Sequence, residues 1–430
     1  MLNKGIYKFI HSIFIIFFLL SSHIYAQEQN VILNEIIKEA LDNNPQIKAI
    51  KSKVESFMTK PSQEGALEDP TLKLGITNLP LDTFSFGDED MTQKEIALGQ
   101  KFPFPGKLAL KKEIAEKDVV FAEKEYEEKK NEITEEVKKI YFEIFFIDKS
   151  SEIAENNKKL LEEFVHIAEA KYSVGSGIQQ DVLKAHVQIS KALEELITLK
   201  QKRTTSESRL NLLLNRSQGT PVGKIPEITK TDFNLSADDL MSLAVSRRPF
   251  LKSLLVSVER EESSYKLARR DYYPDFDVEV GYGQRDGGLN AEGKKVSRPD
   301  MVSLSVSMNL PVYYASKQNR KVAETLANID TARETYNAAK NDIFFNIKDR
   351  IAEIEKGNKL LSLYSTGIIP QTKQTLESSI SNYQVNKVDF LTLLDNQITL
   401  FNYETEYYGI LTDYEKKIAE LETLVGGPLF

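Results

Sequence analysis

The chain carries one structural pattern twice, at an offset of about 200–210 residues. Each copy has a leading helical segment, two amphipathic stretches of about nine residues and two very long helical segments. A repeat of this size indicates a duplication rather than a solenoid of short units. The matched segments are Leu33–Val54 with Leu235–Val258, Asp69–Leu79 with Pro274–Gln284, Glu95–Phe102 with Val302–Leu310, and Tyr172–Gln188 with Tyr383–Thr399.

The helical segments are the longest features of the sequence. Residues 107–172 contain neither proline nor glycine, and a helix of that length would extend on the order of 100 Å. Apolar residues recur there in alternating steps of four and three, which is the pattern of coiled-coil seams. Ser173–Gly177 would turn the chain back into a helical hairpin. The second copy predicts a hairpin over about 317–383 and 390–425, with a bend or break near Gly357 and Gly367–Pro370.

The four amphipathic stretches alternate strictly between apolar and polar residues. Leu72, Leu74 and Ile76 share one face in the first stretch, and the serines of residues 302–310 share one face in the last. This period of two predicts β-strands, and their length suits strands that cross a membrane at a tilt. The same alternation occurs in half-buried sheets of soluble proteins, so the strands alone leave that alternative open. The charged residues predicted to face a water-filled lumen are Lys73, Glu95, Lys101, Asp277 and Glu279.

Four strands cannot close a membrane barrel, because the smallest such barrels have about eight. The sequence therefore predicts an oligomer. A trimer would supply twelve strands and an open lumen, whereas a dimer would supply eight and a filled interior.

The N-terminus predicts export. Lys4 and Lys8 precede the apolar run Ile13–Leu20, and Ala26 ends a short polar region, as in a secretory signal peptide cleaved after Ala26. The chain has no cysteine, which excludes disulfides, thiolate metal sites and a lipid-anchored N-terminal cysteine. Its net charge of −8 makes it a poor candidate for binding nucleic acid.

The sequence gives little support to an enzyme. It has no phosphate-binding loop, dinucleotide fingerprint or nucleophile elbow. We therefore predict no catalytic residue, no cofactor and no metal site.

Several motifs stand out along the chain. They are Asp69–Leu72, Asn78–Pro80, Met91–Lys94, Gln100–Lys107 and the two hairpin segments that begin at Tyr172 and Tyr383. With these motifs the chain resembles the TolC-like outer-membrane efflux family over essentially the whole mature length. The resemblance is closest to the heavy-metal branch, which comprises the outer-membrane partners of cobalt/zinc/cadmium and copper/silver pumps.

The resemblance implies a mainly α-helical protomer with four strands, and a homotrimer with a twelve-stranded barrel in outer-membrane lipid and a twelve-helix tunnel in the periplasm. The implied partners are a periplasmic adaptor and an inner-membrane pump of the resistance-nodulation-division type. The protein would then be a passive exit duct, with heavy-metal cations as a candidate cargo. A channel for type I protein secretion and a periplasmic coiled-coil scaffold are the alternatives.

The predicted domains follow the duplication. They are a signal peptide (1–26), a first repeat (27–216, with strands at about 71–79 and 94–102 and a hairpin at about 107–216), an equatorial belt (217–233), and a second repeat (234–430, with strands at about 275–284 and 301–310 and a hairpin at about 315–425).

The two hairpin turns are the predicted functional site. In the family resemblance they form the closable inner end of the tunnel and meet the adaptor, and aspartates there could form three-fold acidic rings. In a purely structural alternative, the glycines only turn the chain and the aspartates only cap helices. The candidate residues are Gly175, Gly177, Gln180, Asp181 and Leu183 in the first turn, and Asn386, Val388, Asp389, Phe390, Leu393 and Asp395 in the second.

Overall fold

The computed structural model describes residues 32–289 and 292–430, so the predicted signal peptide lies outside the described residues. It confirms the mainly helical fold class with a four-stranded sheet in each protomer. In chain order the elements are α1 Leu33–Asn43, α2 Pro45–Met58, α3 Lys60–Glu64, β1 Thr71–Thr77, β2 Gln93–Phe102, α4 Lys107–Ser173, α5 Gln179–Leu214, α6 Ala237–Arg247, α7 Pro249–Arg270, β3 Phe276–Gln284, β4 Gly288–Leu289, β5 Lys295–Val296, β6 Met301–Met308, α8 Gln318–Leu363, a π-helical turn Tyr364–Ile368, α9 Ile369–Gln384 and α10 Phe390–Val425.

The 67-residue helix α4 organises the protomer. Its predicted seam is buried, with Ile133, Val137 and Ile144 each at most 1% exposed. Helices α1–α3 and α7 pack along the half nearer the sheet, whereas α5 and α10 pack along the half that leads to the hairpin turns. A leading and a return helix together therefore match the length of one long helix.

The two leading helices are not continuous, which corrects the prediction of one leading helical segment in each copy. Each is interrupted one residue before a proline. Asn44 and Arg248 have nearly the same extended backbone, with φ/ψ of −58°/126° and −61°/120°. The proline ring disfavours the helical conformation of the preceding residue, so both copies break at the equivalent position.

The second ascending helix continues through one π-helical turn at Tyr364–Ile368 rather than ending. Pro370 lies in the first turn of α9 and cannot donate a backbone hydrogen bond. A single wider turn accommodates that loss, as π-bulges in long helices do. The interruption predicted near Gly367–Pro370 is therefore a local widening, whereas the helix runs unbroken through Gly357, where the prediction of a break was wrong.

The four predicted strands form one antiparallel sheet in the order β1-β2-β3-β6. Leu72 lies opposite Leu98, and Val280 lies opposite both Leu98 and Leu304, so the apolar side chains share one face. That face is open to the surroundings, with Leu74 and Leu304 each 71% exposed. A further two-stranded pair, β4 with β5, lies in the connection between β3 and β6 and was not predicted. No helix within residues 32–289 and 292–430 has both the length and the hydrophobicity to cross a membrane.

Residues 217–233 cross the helical column without forming a helix or strand. Val222 and Ile225 are buried, and the Arg203 guanidinium of α5 donates to the carbonyl oxygens of Val222 and Gly223 at 3.3 and 3.4 Å. Near the end of the segment, the Thr231 amide donates to the Glu415 carboxylate of α10 at 2.7 Å. These contacts favour the predicted belt, whose boundaries stay a prediction.

Near the belt, a cluster of charged side chains joins α4, α8 and α10. The Glu420 carboxylate of α10 lies 3.0 Å from Lys139 of α4 and 3.1 Å from Arg350 of α8. Burial alone would raise the pKa of Glu420, but hydrogen bonds and charge from Lys139 and Lys417 outweigh it and hold the pKa below the ordinary 4.5.

This lowered pKa predicts an acid-sensitive junction. The stabilisation from Glu420 is fully present above the unfolded-state pKa and is lost as the pH falls through the lower folded-state pKa. We expect Glu420→Gln to reduce the drop in unfolding temperature between about pH 5 and pH 3 in detergent. Glu194→Gln, at an exposed position of α5, is the control and should retain the full drop. An equal drop in both variants would contradict the assignment.

Candidate functional site

The two hairpin turns lie side by side and share one apolar core. Side chains from all four adjoining helices meet in it, so the pair of tips is packed as one body. The buried members are Leu161, Phe164, Val165 and Ala168 of α4, Ala185 and Ala192 of α5, Leu376 and Tyr383 of α9, and Phe390, Leu393 and Leu394 of α10.

Both turns use the same backbone geometry. Gly175 and Asn386 have φ of +72° and +61°, a left-handed conformation that glycine and asparagine adopt most readily. In each turn, the residue that follows this glycine or asparagine donates its backbone amide to a carbonyl oxygen of the ascending helix. The Ser176 amide donates to the Lys171 carbonyl oxygen, and the Lys387 amide donates to the Asn382 carbonyl oxygen, both at 2.9 Å. The glycine and the asparagine therefore have a structural role in either interpretation of the tips.

The aspartates of the two tips differ in role. Asp389 is the N-cap of α10, and its carboxylate accepts from the Thr392 amide at 2.7 Å. That hydrogen bond lowers the pKa of Asp389. Asp181 lies within the first turn of α5 and forms no such cap. Burial raises the pKa of the Asp181 carboxyl, Lys184 opposes the rise and the charge of Asp389 adds to it.

The capping contact gives a specific expectation for Asp389. Asp389→Ala should make amide exchange in the first turn of α10 roughly fivefold faster, because the Thr392 amide loses its acceptor. Asp389→Ser retains a side-chain acceptor without the charge and should stay close to the wild type. Hydrogen exchange followed by mass spectrometry measures both variants. Equal acceleration in both would instead show that the negative charge at this position stabilises the turn.

Two predicted adaptor contacts are corrected by the structure. Phe390 and Leu393 are 2% and 0% exposed, so their side chains cannot contact a docking protein while the tips are packed. The Phe390 ring lies 5.4 Å from the Tyr383 ring, centre to centre. Apolar spacing along α10 could not distinguish a contact surface from the core, because the neighbouring hairpin decides which face is covered.

Lys171 joins the two tips and was not predicted. It lies at the end of α4, and its ammonium donates to the Tyr383 and Gln384 carbonyl oxygens at 2.7 and 3.3 Å and to the side-chain oxygen of Asn386. It also lies 4.7 Å from the centre of the Tyr383 ring. A cation at the C-terminal carbonyls of α9 is favoured by the helix dipole. The only signal in the sequence was a basic residue in the last turn of a helix.

Next to the tips, a groove of about 530 Å³ separates the return helices α5 and α10. Its apolar surface is accessible, since Leu183, Val187 and Leu391 are 57%, 54% and 53% exposed. Polar side chains, including the predicted residues Gln180 and Asp395, complete the lining. The structure thus brings Gln180, Leu183 and Asp395 into one surface, whereas Val388 lies half-buried at the second turn.

The five predicted lumen charges share the face of the sheet opposite its apolar side. Lys73 lies 3.9 Å from Glu95 and 3.6 Å from Glu279, across three neighbouring strands. Lys101 is the register partner of Asp277 and lies 3.4 Å from Glu68. These charges lie among small residues such as Ala97 and Gly281, which are buried beneath them. This face of the sheet therefore carries both positive and negative charges.

Comparison with known families gives one match that covers most of the chain. Residues 36–216 and 240–427 match the family described as "Outer membrane efflux protein". Among curated proteins, the cobalt-zinc-cadmium resistance protein CzcC of Cupriavidus metallidurans is 18% identical over 303 residues, which are 69% of this chain and 68% of CzcC.

Solved structures share the fold at low sequence identity. CusC, in crystal structures that concern transmembrane channel formation, has a TM-score of 0.76 and 17% identity, with 92% of each chain covered. The outer membrane protein VceC of Vibrio cholerae has a TM-score of 0.77 and 16% identity, with 93% of this chain and 97% of VceC covered. The MtrE outer membrane channel of Neisseria gonorrhoeae has a TM-score of 0.75 and 16% identity, with 92% and 89% covered.

Proposed function

Because this chain belongs to the outer membrane efflux protein family, we propose that it is the outer-membrane channel of a tripartite efflux system and acts as a passive exit duct. The observation that carries the proposal is a sheet with an exposed apolar face above helices about 100 Å long. Lipid can cover that face, and the helices can extend into the periplasm. A coiled-coil scaffold would have no use for such a sheet.

The sheet also supports a trimer. In one protomer, β1 and β6 are edge strands with unpaired backbone groups, and every residue of β6 is exposed. Lipid cannot satisfy those backbone groups, so a sheet in a membrane must close on itself. Three copies would join β1 of one protomer to β6 of the next and form twelve strands. The single-protomer sheet is thus one third of a closed barrel.

The groove between α5 and α10 would contact the periplasmic adaptor. Lys171 and the apolar core that the two tips share would keep the tips packed until the adaptor binds. We infer a pump of the resistance-nodulation-division type and heavy-metal cations as cargo, supported by the likeness to a cobalt-zinc-cadmium resistance protein. Residues 1–26 would direct export, and the absence of cysteine argues against a lipid anchor. The energy would come from the pump, since the sequence has no phosphate-binding loop for a nucleotide.

The first experiment measures the mass of the detergent-extracted protein by light scattering. Membrane fractionation determines in parallel which membrane contains the protein. A trimer in the outer membrane supports the proposal, and a soluble monomer or dimer overturns it. The cysteine-free sequence permits a sharper test of closure. A cysteine at Gly75 of β1, combined with one at Ser303, Ser305 or Ser307 of β6, should give trimer-sized disulfide products for at least one pair. Gly75→Cys alone is the control.

The groove between α5 and α10 gives a separate prediction. Leu183→Glu and Val187→Glu place charges on its apolar wall and should lower metal tolerance of the producing cells about tenfold, because burying an unpaired charge against a partner is costly. Trimer mass should not change. Lys191→Glu, at an exposed position farther along α5, is the control. Full tolerance with both groove variants would exclude this surface as the adaptor site.

A further inference from the structure

Four exposed apolar side chains of the helical column share one local feature. They are Ile197 and Leu212 of α5 and Phe345 and Leu363 of α8, and they are 71%, 64%, 68% and 52% exposed. Each lies two positions from a residue buried in the core, namely Leu199, Leu210, Ile343 and Leu361 respectively. Two positions along a helix correspond to a rotation of about 200°, so all four side chains point away from the core of their own protomer.

The packing order of the helices places α5 and α8 at opposite edges of the protomer. In the half nearer the tips the order is α5, α4, α10 and α8, because each helix packs against the next. The sheet has the same two edges. Helix α8 follows the edge strand β6, whereas α1, which packs against α5, leads through α2 and α3 to the edge strand β1. A closed ring of identical protomers joins two different edges, so pairing β1 with β6 brings α5 of one protomer to α8 of the next.

Ile197 and Leu363 lie at the same height along the column. Leu199 of α5 packs in one small cluster with Phe401 of α10. Two residues further along α10, the Tyr403 ring contacts the Tyr364 ring, with 5.8 Å between their centres. Because Ile197 is close to Leu199 and Leu363 precedes Tyr364, the two exposed side chains are level with each other on opposite edges.

Leu212 and Phe345 form a second pair nearer the sheet. The Ser206 hydroxyl of α5 donates to Glu143 of α4 at 3.0 Å, which sets the height of α5 against α4. The Glu420 carboxylate, which contacts both Lys139 and Arg350, sets the height of α4 against α8. Counting residues from these contacts puts Leu212 and Phe345 within about 6 Å of the same height.

The exposed stripe of α5 between its two apolar residues is free of charge, although 28% of the residues in the chain are charged. At successive turns it contains Gln201, Thr205 and Ser208. A scarcity of charged side chains is typical of the centre of a protein interface. The facing stripe of α8 contains Asp349, which pairs with Arg350 at 3.2 Å, and Lys356, which is level with Thr205 and can donate to its hydroxyl oxygen.

We propose that α5 of one protomer docks on α8 of the next through two apolar contacts, Ile197 with Leu363 and Leu212 with Phe345. The partner of each exposed edge is thus a second copy of this chain. This inference rests on the proposed trimer and specifies the part of its interface that lies in the helical column. Repeated around the trimer, the contacts form two apolar rings that hold the column together outside the sheet.

The test is thiol cross-linking of the full chain in isolated outer membranes, which the absence of cysteine permits. The two matched pairs, Ile197→Cys with Leu363→Cys and Leu212→Cys with Phe345→Cys, should give trimer-sized products with a short bifunctional thiol reagent. The crossed pairs, Ile197→Cys with Phe345→Cys and Leu212→Cys with Leu363→Cys, are the controls. They use the same four cysteines at heights that differ by more than about 20 Å, and should give at least tenfold less product.

The cysteine pairs between β1 and β6 provide the reference for closure of the trimer. Products from those strands without products from either matched helix pair would overturn this inference and leave the channel proposal intact. Equal products from matched and crossed pairs would also overturn it, because random collisions would then explain the linkage. A monomeric mass without products from strands or helices would overturn the proposed trimer, and this inference with it.

Discussion

Replacing Lys171 by methionine is expected to raise the basal ion conductance of purified trimers in planar bilayers by about tenfold or more. The substitution keeps the aliphatic stem and removes the ammonium that donates to the Tyr383 and Gln384 carbonyl oxygens. Hydrogen bonds from a charged donor contribute about 1.5–3 kcal/mol each, and about 1.4 kcal/mol already shifts a two-state equilibrium tenfold. The loss should therefore move the tips from the packed state toward the splayed state.

Two control variants distinguish the loss of the Lys171 contact from the loss of its positive charge. Lys191→Met removes the same charge from an exposed position of α5 and should leave the conductance unchanged. Lys171→Arg keeps a donor at the carbonyl oxygens and should restore most of the low conductance. If Lys171→Met conducts like the wild type while remaining trimeric, the contact between the tips does not hold the channel closed.

The second large effect is expected for Glu128→Ala. The Glu128 carboxylate of α4 accepts from the Arg248 guanidinium at 3.0 and 3.1 Å and from the Phe250 amide at 3.1 Å. The two charged side chains are only 10% and 14% exposed. Removing one partner leaves a buried charge without compensation, which costs about 3 kcal/mol or more. Amide exchange in the first turn of α7 should therefore become about 100-fold faster.

The matched control lies one turn earlier on the same helix. Glu125 pairs with Lys53, and the two side chains are 34% and 48% exposed. Pairs accessible to solvent in this way contribute at most about 1 kcal/mol, so Glu125→Ala should change exchange only slightly. Burial raises the pKa of Glu128, although Arg248 acts in the opposite direction. Burying an ion pair costs desolvation energy, and well-packed apolar residues of similar volume avoid that cost. The double variant Glu128→Leu/Arg248→Met should recover most of the loss, and failure to do so would assign the effect to the Phe250 amide.

The sequence by itself determined the features that depend on local periodicity. Alternation of period two specified the four strands and their two faces, as at Leu72 and Leu304, because successive side chains of a strand point to opposite sides. The long run after Lys107 specified a continuous helix, because nothing in it interrupts backbone hydrogen bonding. Pro45 and Pro249 also mark two helix breaks in the sequence, although the apolar pattern continues across both of them.

The tertiary structure alone decided which distant residues meet. Phe390 and Leu183 are both apolar residues near a hairpin turn, yet one is buried and the other exposed, because the neighbouring hairpin covers only one of the faces. The contact of Lys171 with α9 spans 212 residues of chain, and that of Glu128 with Arg248 spans 120. Such contacts depend on the relative positions of packed helices. A local pattern does not contain those positions, since they arise only when the duplicated halves bury their apolar faces against each other.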